Sequence, residues 1–138
     1  MKQYLYFLAL VLLASCSSNN SDLLLENENQ LLQMFEKAKS ENLNEVESYV
    51  DSGLGEMMKN YNVDKILIGH NKYLEGLFPT TDLVFFVQNS QSIFEPQTIM
   101  AYDYGLAPRE IDDKDIPGAS FKSVRVKERW YILSLGFD

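Results

Sequence analysis

Two β-rich runs at the carboxyl end, residues 121–126 and 129–135, share the turn Lys127-Glu128, and no other feature limits the folding of this chain so firmly. Neighbouring β runs joined by so short a turn predict an antiparallel hairpin. Lys-Glu is not the Asn-Gly pair that two-residue turns prefer, so a longer or bulged turn is included in the expectation. In the last run Trp130 and Ile132 alternate with Tyr131, Leu133 and Leu135, which puts apolar groups on both faces. One face is expected to cover helices and the other to meet a partner or a second layer.

Earlier β runs extend the same sheet. Leu83-Val84-Phe85-Phe86-Val87 is β-branched and aromatic and stops at Asn89-Ser90, the signature of a well-buried strand. Residues 98–104 predict a second strand, closed by Gly105 and Pro108. The stretch 105–118 holds two prolines, two glycines and an acidic cluster, and reads as a long loop. Before Asp82 the period is helical. Leu24, Leu31, Leu32, Phe35 and Ala38 predict an amphipathic helix over residues 23–39. Asn42 or Asn44 can cap a shorter helix lined by Leu43, Val46, Tyr49 and Val50, which Gly53 and Gly55 end. Met57, Met58 and Tyr61 continue a helical reading. Ile66, Leu67, His70, Tyr73, Leu74 and Leu77 predict a further amphipathic stretch up to Pro79. The fold class expected is α+β, with amino-terminal helices packed on a curved antiparallel sheet that ends in a β-hairpin. The chain holds no internal repeat.

The first residues follow another plan. Lys2 precedes an uninterrupted apolar run from Leu5 to Leu13, with the small Ala14 and Ser15 behind it, as in a secretory signal peptide. A spanning helix needs ~20 apolar residues, and this run meets Cys16 and Ser17-Ser18-Asn19-Asn20-Ser21 too early. Leu13-Ala14-Ser15-Cys16 resembles the lipobox of bacterial lipoproteins at every position. That resemblance implies cleavage before Cys16, a diacylglycerol thioether on its sulfur, and a new amino terminus open to acylation by a chain such as palmitate. Each buried methylene is worth ~0.8 kcal/mol, so two or three chains hold a protein durably on a bilayer. The organisation expected is a signal peptide over residues 1–15, a lipidated tether over 16–22 and a single α+β domain over 23–138. In the lipoprotein sorting scheme, the non-acidic Ser17 implies the outer membrane where the cell has one.

Cys16 is also the only cysteine, so the domain has no partner for an internal disulfide and stands on its core alone. Removing residues 1–15 takes Lys2 from the 12 basic side chains and none of the 20 acidic ones, which moves the net charge from −8 to −9. Such a surface disfavours nucleic acid and suits a basic partner. Lys122, Arg125, Lys127 and Arg129 crowd one short stretch just after Glu110, Asp112, Asp113 and Asp115, and form a candidate docking patch.

Helices first, antiparallel strands after them, and a last strand opening Arg129-Trp130-Tyr131-Ile132 resemble the nuclear transport factor two-like, or cystatin-like, cone fold. Small bacterial lipoproteins of that type often finish on a Trp-x-Ile strand. The long irregular segment before the hairpin departs from the pattern. The resemblance implies a concave pocket, which some members use for isomerase or dehydratase chemistry and others only for binding. Acid–base work there needs a buried carboxylate or histidine with a tuned pKa. The candidates for it are His70, Asp82, Asp103 and the tyrosines Tyr102 and Tyr104, with His70 and Asp103 as the candidate pocket residues. His70 on a helix face is more often a half-buried packing residue than a base. Asp103 alternates with Tyr102 and Tyr104 and so faces away from them, as an aspartate on the polar face of a strand. No residue is assigned as catalytic.

Other chemistries lack their residues. One histidine and one lipidated cysteine exclude zinc sites of the usual kind. Asp112-Asp113-Lys114-Asp115 lacks the glycine and closing glutamate of a calcium loop. Gly53-x-Gly55 lacks a third glycine and a preceding strand, and no serine sits in a Gly-x-Ser-x-Gly context. No metal or cofactor is expected. Three function classes are open: a non-catalytic binding module on an envelope lipoprotein, an immunity or inhibitor protein for a basic toxin or hydrolase, and a small cone-fold isomerase or dehydratase. The partners expected are the bilayer, through acylated Cys16, and a protein.

Overall fold

A computed structural model describes residues 20–88 and 97–137. Helix α1 (Asn20–Ser40) leads into strand β1 (Glu45–Glu47) and helix α2 (Gly53–Asn60). Strands β2 (Lys65–Ile68), β3 (Leu83–Val87), β4 (Gln97–Asp103), β5 (Lys114–Ile116), β6 (Ala119–Lys127) and β7 (Trp130–Phe137) complete the chain. All pair antiparallel in one open sheet, in the order β1-β2-β3-β4-β7-β6-β5. The α+β class is as expected. The leader and Cys16 lie outside the described residues, and α1 takes in residues 20–22 of the expected tether. Among the described residues no helix is long and apolar enough to cross a membrane.

β3 is buried along its whole length because the sheet is covered on both faces. On one face α1 and α2 set Leu31, Met34, Phe35 and Met58 against Phe86, Met100 and Trp130. On the other, Phe85, Ile99, Phe121, Tyr131 and Leu133 pack beneath Leu74, Leu77, Phe78, Ile111 and Ile116. The outward face of the last strand therefore meets this chain's own loops.

Both helices stop in the same way. Asn42 and Asn62 adopt left-handed backbone (φ 56 and 54), which asparagine tolerates better than most residues. Leu43 and Val63 then donate their backbone N–H groups to the carbonyls of Ala38 and Met58, each at 2.9 Å, and turn apolar side chains into the core.

Four segments differ from the sequence reading. Residues 45–47 form β1 and not part of a helix, with Val46 buried and Glu45 and Glu47 both on Lys65. Gly53 and Gly55 open α2 instead of ending a helix, and the N-cap Ser52 Oγ accepts from Gly55 N at 3.1 Å. A Cβ on Gly55 would lie 2.1 Å from the Val50 carbonyl oxygen, so only glycine fits there. The run 66–77 divides into β2 and, beyond Gly69 (φ 68), a series of turns. The expected loop 105–118 contains β5, which Pro117 and Gly118 (φ 77) turn back into β6. The β6–β7 hairpin is present as expected, but its turn is Glu128-Arg129, one residue beyond the expected Lys127-Glu128, because Lys127 stays in the strand and pairs with Trp130 past an irregularity between Arg125 and Lys127.

Candidate functional site

Gly69 turns the chain out of β2, and Asn71 organises the turns beyond it. Its Oδ1 accepts from Tyr73 N at 3.1 Å, and its carbonyl accepts from Leu74 N and Glu75 N at 2.9 and 3.0 Å. These bonds gather His70, Lys72 and Tyr73 around a cavity of about 130 Å³, walled from the sheet by Leu67, Lys65 and Glu45. Lys65 is clamped, with Nζ 2.8 Å from Glu47 Oε1 and 3.0 Å from Glu45 Oε1. These bonds raise its pKa, Glu47 contributing most. Glu47 is held below the ordinary carboxylate range by Lys65 and by a hydrogen bond from Tyr49, whose own pKa rises in return. A second groove of about 360 Å³ runs along β1, with Leu43, Val46, Tyr49 and Val50 between Glu41 and Glu47. The open cavities of this edge are thus the candidate site.

His70 and Asp103 are not brought together. His70 is exposed at the mouth of the first cavity, where Nδ1 contacts Glu75 Oε1. Asp103 has no exposed surface, which corrects the reading of a polar-face aspartate. It does face away from Tyr102 and Tyr104, but beneath the loop that covers the sheet. Its Oδ1 accepts from Gly105 N at 2.9 Å, and its Oδ2 accepts from Arg109 N and Nε, both at 3.0 Å. Both oxygens are engaged, so Asp103 is a structural clasp.

The basic patch also divides. Arg125 Nη1 pairs with Glu110 at 3.0 Å and its Nη2 donates to the Glu128 carbonyl at 2.7 Å. Lys127 turns to α1 and pairs with Glu28. Arg129 is half-buried, and its Nη1 donates to the carbonyls of Asp103 and Gly105 at 3.1 and 2.7 Å. Lys122 is exposed. Three of the four charges are thus paired within the domain, while Lys122, Arg125 and Lys127 stay exposed.

Glu28 also accepts from the Trp130 indole N–H at 3.1 Å, and Lys127 first, then the indole, hold its carboxyl below the usual range. A carboxyl depressed in the folded state adds stability above its unfolded pKa and loses it as pH falls through the folded value. Glu28→Gln is expected to flatten the acid limb of a stability curve measured by urea denaturation between about pH 3 and 6. An unchanged limb would show that the pair contributes nothing.

No sequence pattern marks Asn71, Lys72 or Arg109 as a site residue, and the apolar spacing around Tyr73 predicts a helix where the structure has turns. Gly69-His70-Asn71 was the available turn signal, outweighed by apolar residues at helical spacing. Nothing local marks Arg109 as the partner of Asp103. Among the described residues no three of His, Cys, Asp or Glu come together as metal ligands. No family model matches the chain, and neither curated proteins nor solved structures give a match.

Proposed function

We propose that this chain is a lipid-anchored lipoprotein of a bacterial cell envelope, whose α+β domain is a non-catalytic binding module. The observation that carries this reading is Leu13-Ala14-Ser15-Cys16 directly behind a short apolar run. Residues 1–15 are removed, Cys16 carries the acyl chains, and the outer membrane is the address where the cell has one. Binding is favoured over catalysis by how the ionisable groups are used. Asp103 is neutralised by Arg109, His70 is exposed, and Phe86 and Trp130 fill the space between α1 and the sheet, while open cavities flank β1. The same reading takes the sheet as a cystatin-like cone, with α1 across its inner face and the β6–β7 hairpin closing the chain.

Cys16→Ser tests the anchor. In cells fed labelled palmitate, the variant is expected to lose essentially all acyl label and to move from the membrane to the soluble fraction. Unchanged labelling and fractionation would overturn the proposal.

A further inference from the structure

We infer that the cavity between β2 and the turns beyond Asn71 binds a small organic carboxylate. This rests on the reading of the domain as a binding module and names its ligand class. Asn71 is only 2 % exposed, yet it lines the cavity. Its Oδ1 is taken by Tyr73 N, and no described residue accepts from its Nδ2. A buried amide that spends its acceptor on the backbone and keeps its donor free toward a cavity is set to meet an acceptor from outside.

Lys72 supplies the charge. Lys65 is neutralised by Glu45 and Glu47, and His70 is paired with Glu75. Among the described residues no carboxylate lies within 4.0 Å of the Lys72 ammonium, which sits 5.0 Å from the centre of the Tyr73 ring. A neutral N–H donor and an ammonium that line one cavity match one carboxylate, which takes a charge-assisted bond from each. Glu45 and Glu75 stand close by and disfavour a group of higher negative charge. The apolar lining is Leu67 and the ring of Tyr73, 64 % exposed, beside the paired Lys65, Glu45 and His70. A cavity of ~150 Å³ takes up a benzene ring, and this one, of about 130 Å³, suits a carboxylate on a ring or a short alkyl group.

Benzoate is the probe, titrated into the full-length chain in detergent micelles and followed by the NMR signals of the Asn71 side-chain amide and the backbone amides of residues 71–73. Saturable shifts are expected, with benzamide and inorganic phosphate binding at least tenfold more weakly. Asn71→Asp keeps the acceptor for Tyr73 N and replaces the donor, and it is expected to weaken benzoate at least tenfold. Lys72→Met, on an exposed side chain, is expected to do the same without unfolding the domain, whereas Lys122→Met leaves binding unchanged. Benzamide or phosphate binding as well as benzoate, unaltered affinity in both cavity variants, or no saturable shift would each refute the assignment. The anchor is scored separately by Cys16 labelling, so a null titration on a lipidated protein removes the ligand class and leaves the lipoprotein reading in place.

Discussion

Arg109→Met is expected to cost about 3–5 kcal/mol of folding stability, among the largest effects of any charged residue in the domain. Asp103 has no exposed surface, and the guanidinium of Arg109 is its ion-pair partner, with Nε at 3.0 Å. The same group joins two further segments, since Nη1 donates to the Pro79 carbonyl and Nη2 to the Thr81 carbonyl, both at 2.7 Å. The Arg109 carbonyl in turn accepts from the Tyr131 hydroxyl, beneath the covering loop. With methionine at 109 the carboxylate keeps two backbone N–H donors and loses its countercharge. Arg129 does not replace it, because its guanidinium is bonded to the carbonyls of Asp103 and Gly105. Urea denaturation at pH 7 measures the loss, and amide exchange should locate it in residues 105–113. Asp103→Asn combined with Arg109→Met should recover part of it, since the amide oxygen still accepts from a backbone N–H and no uncompensated charge stays buried. A loss below about 1 kcal/mol in Arg109→Met alone would mean that water reaches Asp103 and that the clasp is not a dry one.

How much of the fold is legible in the sequence depends on the range of the interactions. α1, β3, β4 and the β6–β7 hairpin each carry enough period or β-branched content to declare themselves within their own span. β1 does not, because Leu43, Val46, Tyr49 and Val50 fit a helix as well as they fit a strand, and what decides is the pairing of Val46 with Ile66 and of Glu45 and Glu47 with a lysine eighteen or more residues away. β2 is lost in the same way, since its four residues sit inside an apolar pattern that continues past Gly69. Asp103 lies on the side of its strand that the alternation with Tyr102 and Tyr104 predicts. Its partner, six residues on and beyond a proline, becomes visible only when the chain folds back over the sheet. The cavity of Asn71 and Lys72 belongs to this class too, as an object of two segments that local pattern does not join.

Trp130→Ala is expected to cost about 3–5 kcal/mol, because it empties the place where α1, β4 and β7 meet. Trp130 is 1 % exposed, its ring stacks on Phe86 with centroids 6.0 Å apart, and Tyr102 lies 4.9 Å away. Its indole N–H reaches Glu28 on α1. Trp130→Phe separates the contributions: it keeps an aromatic ring against Phe86 and removes the donor, leaving Glu28 with Lys127, for a cost of about 1–2 kcal/mol. Trp130 is the only tryptophan in the chain, so the variants are followed by circular dichroism in urea and the parent by both dichroism and fluorescence. The excess of the alanine cost over the phenylalanine cost measures the packing that holds α1 on the sheet. That joint bears on function because, among the described residues, α1 is the element nearest in sequence to Cys16, and in the proposed lipoprotein it sets how the β1 cavities are presented to the space above the bilayer. Equal costs for the two variants would mean that α1 is held by Phe35 and Met34 instead, and that the link between anchor and domain lies further along the helix.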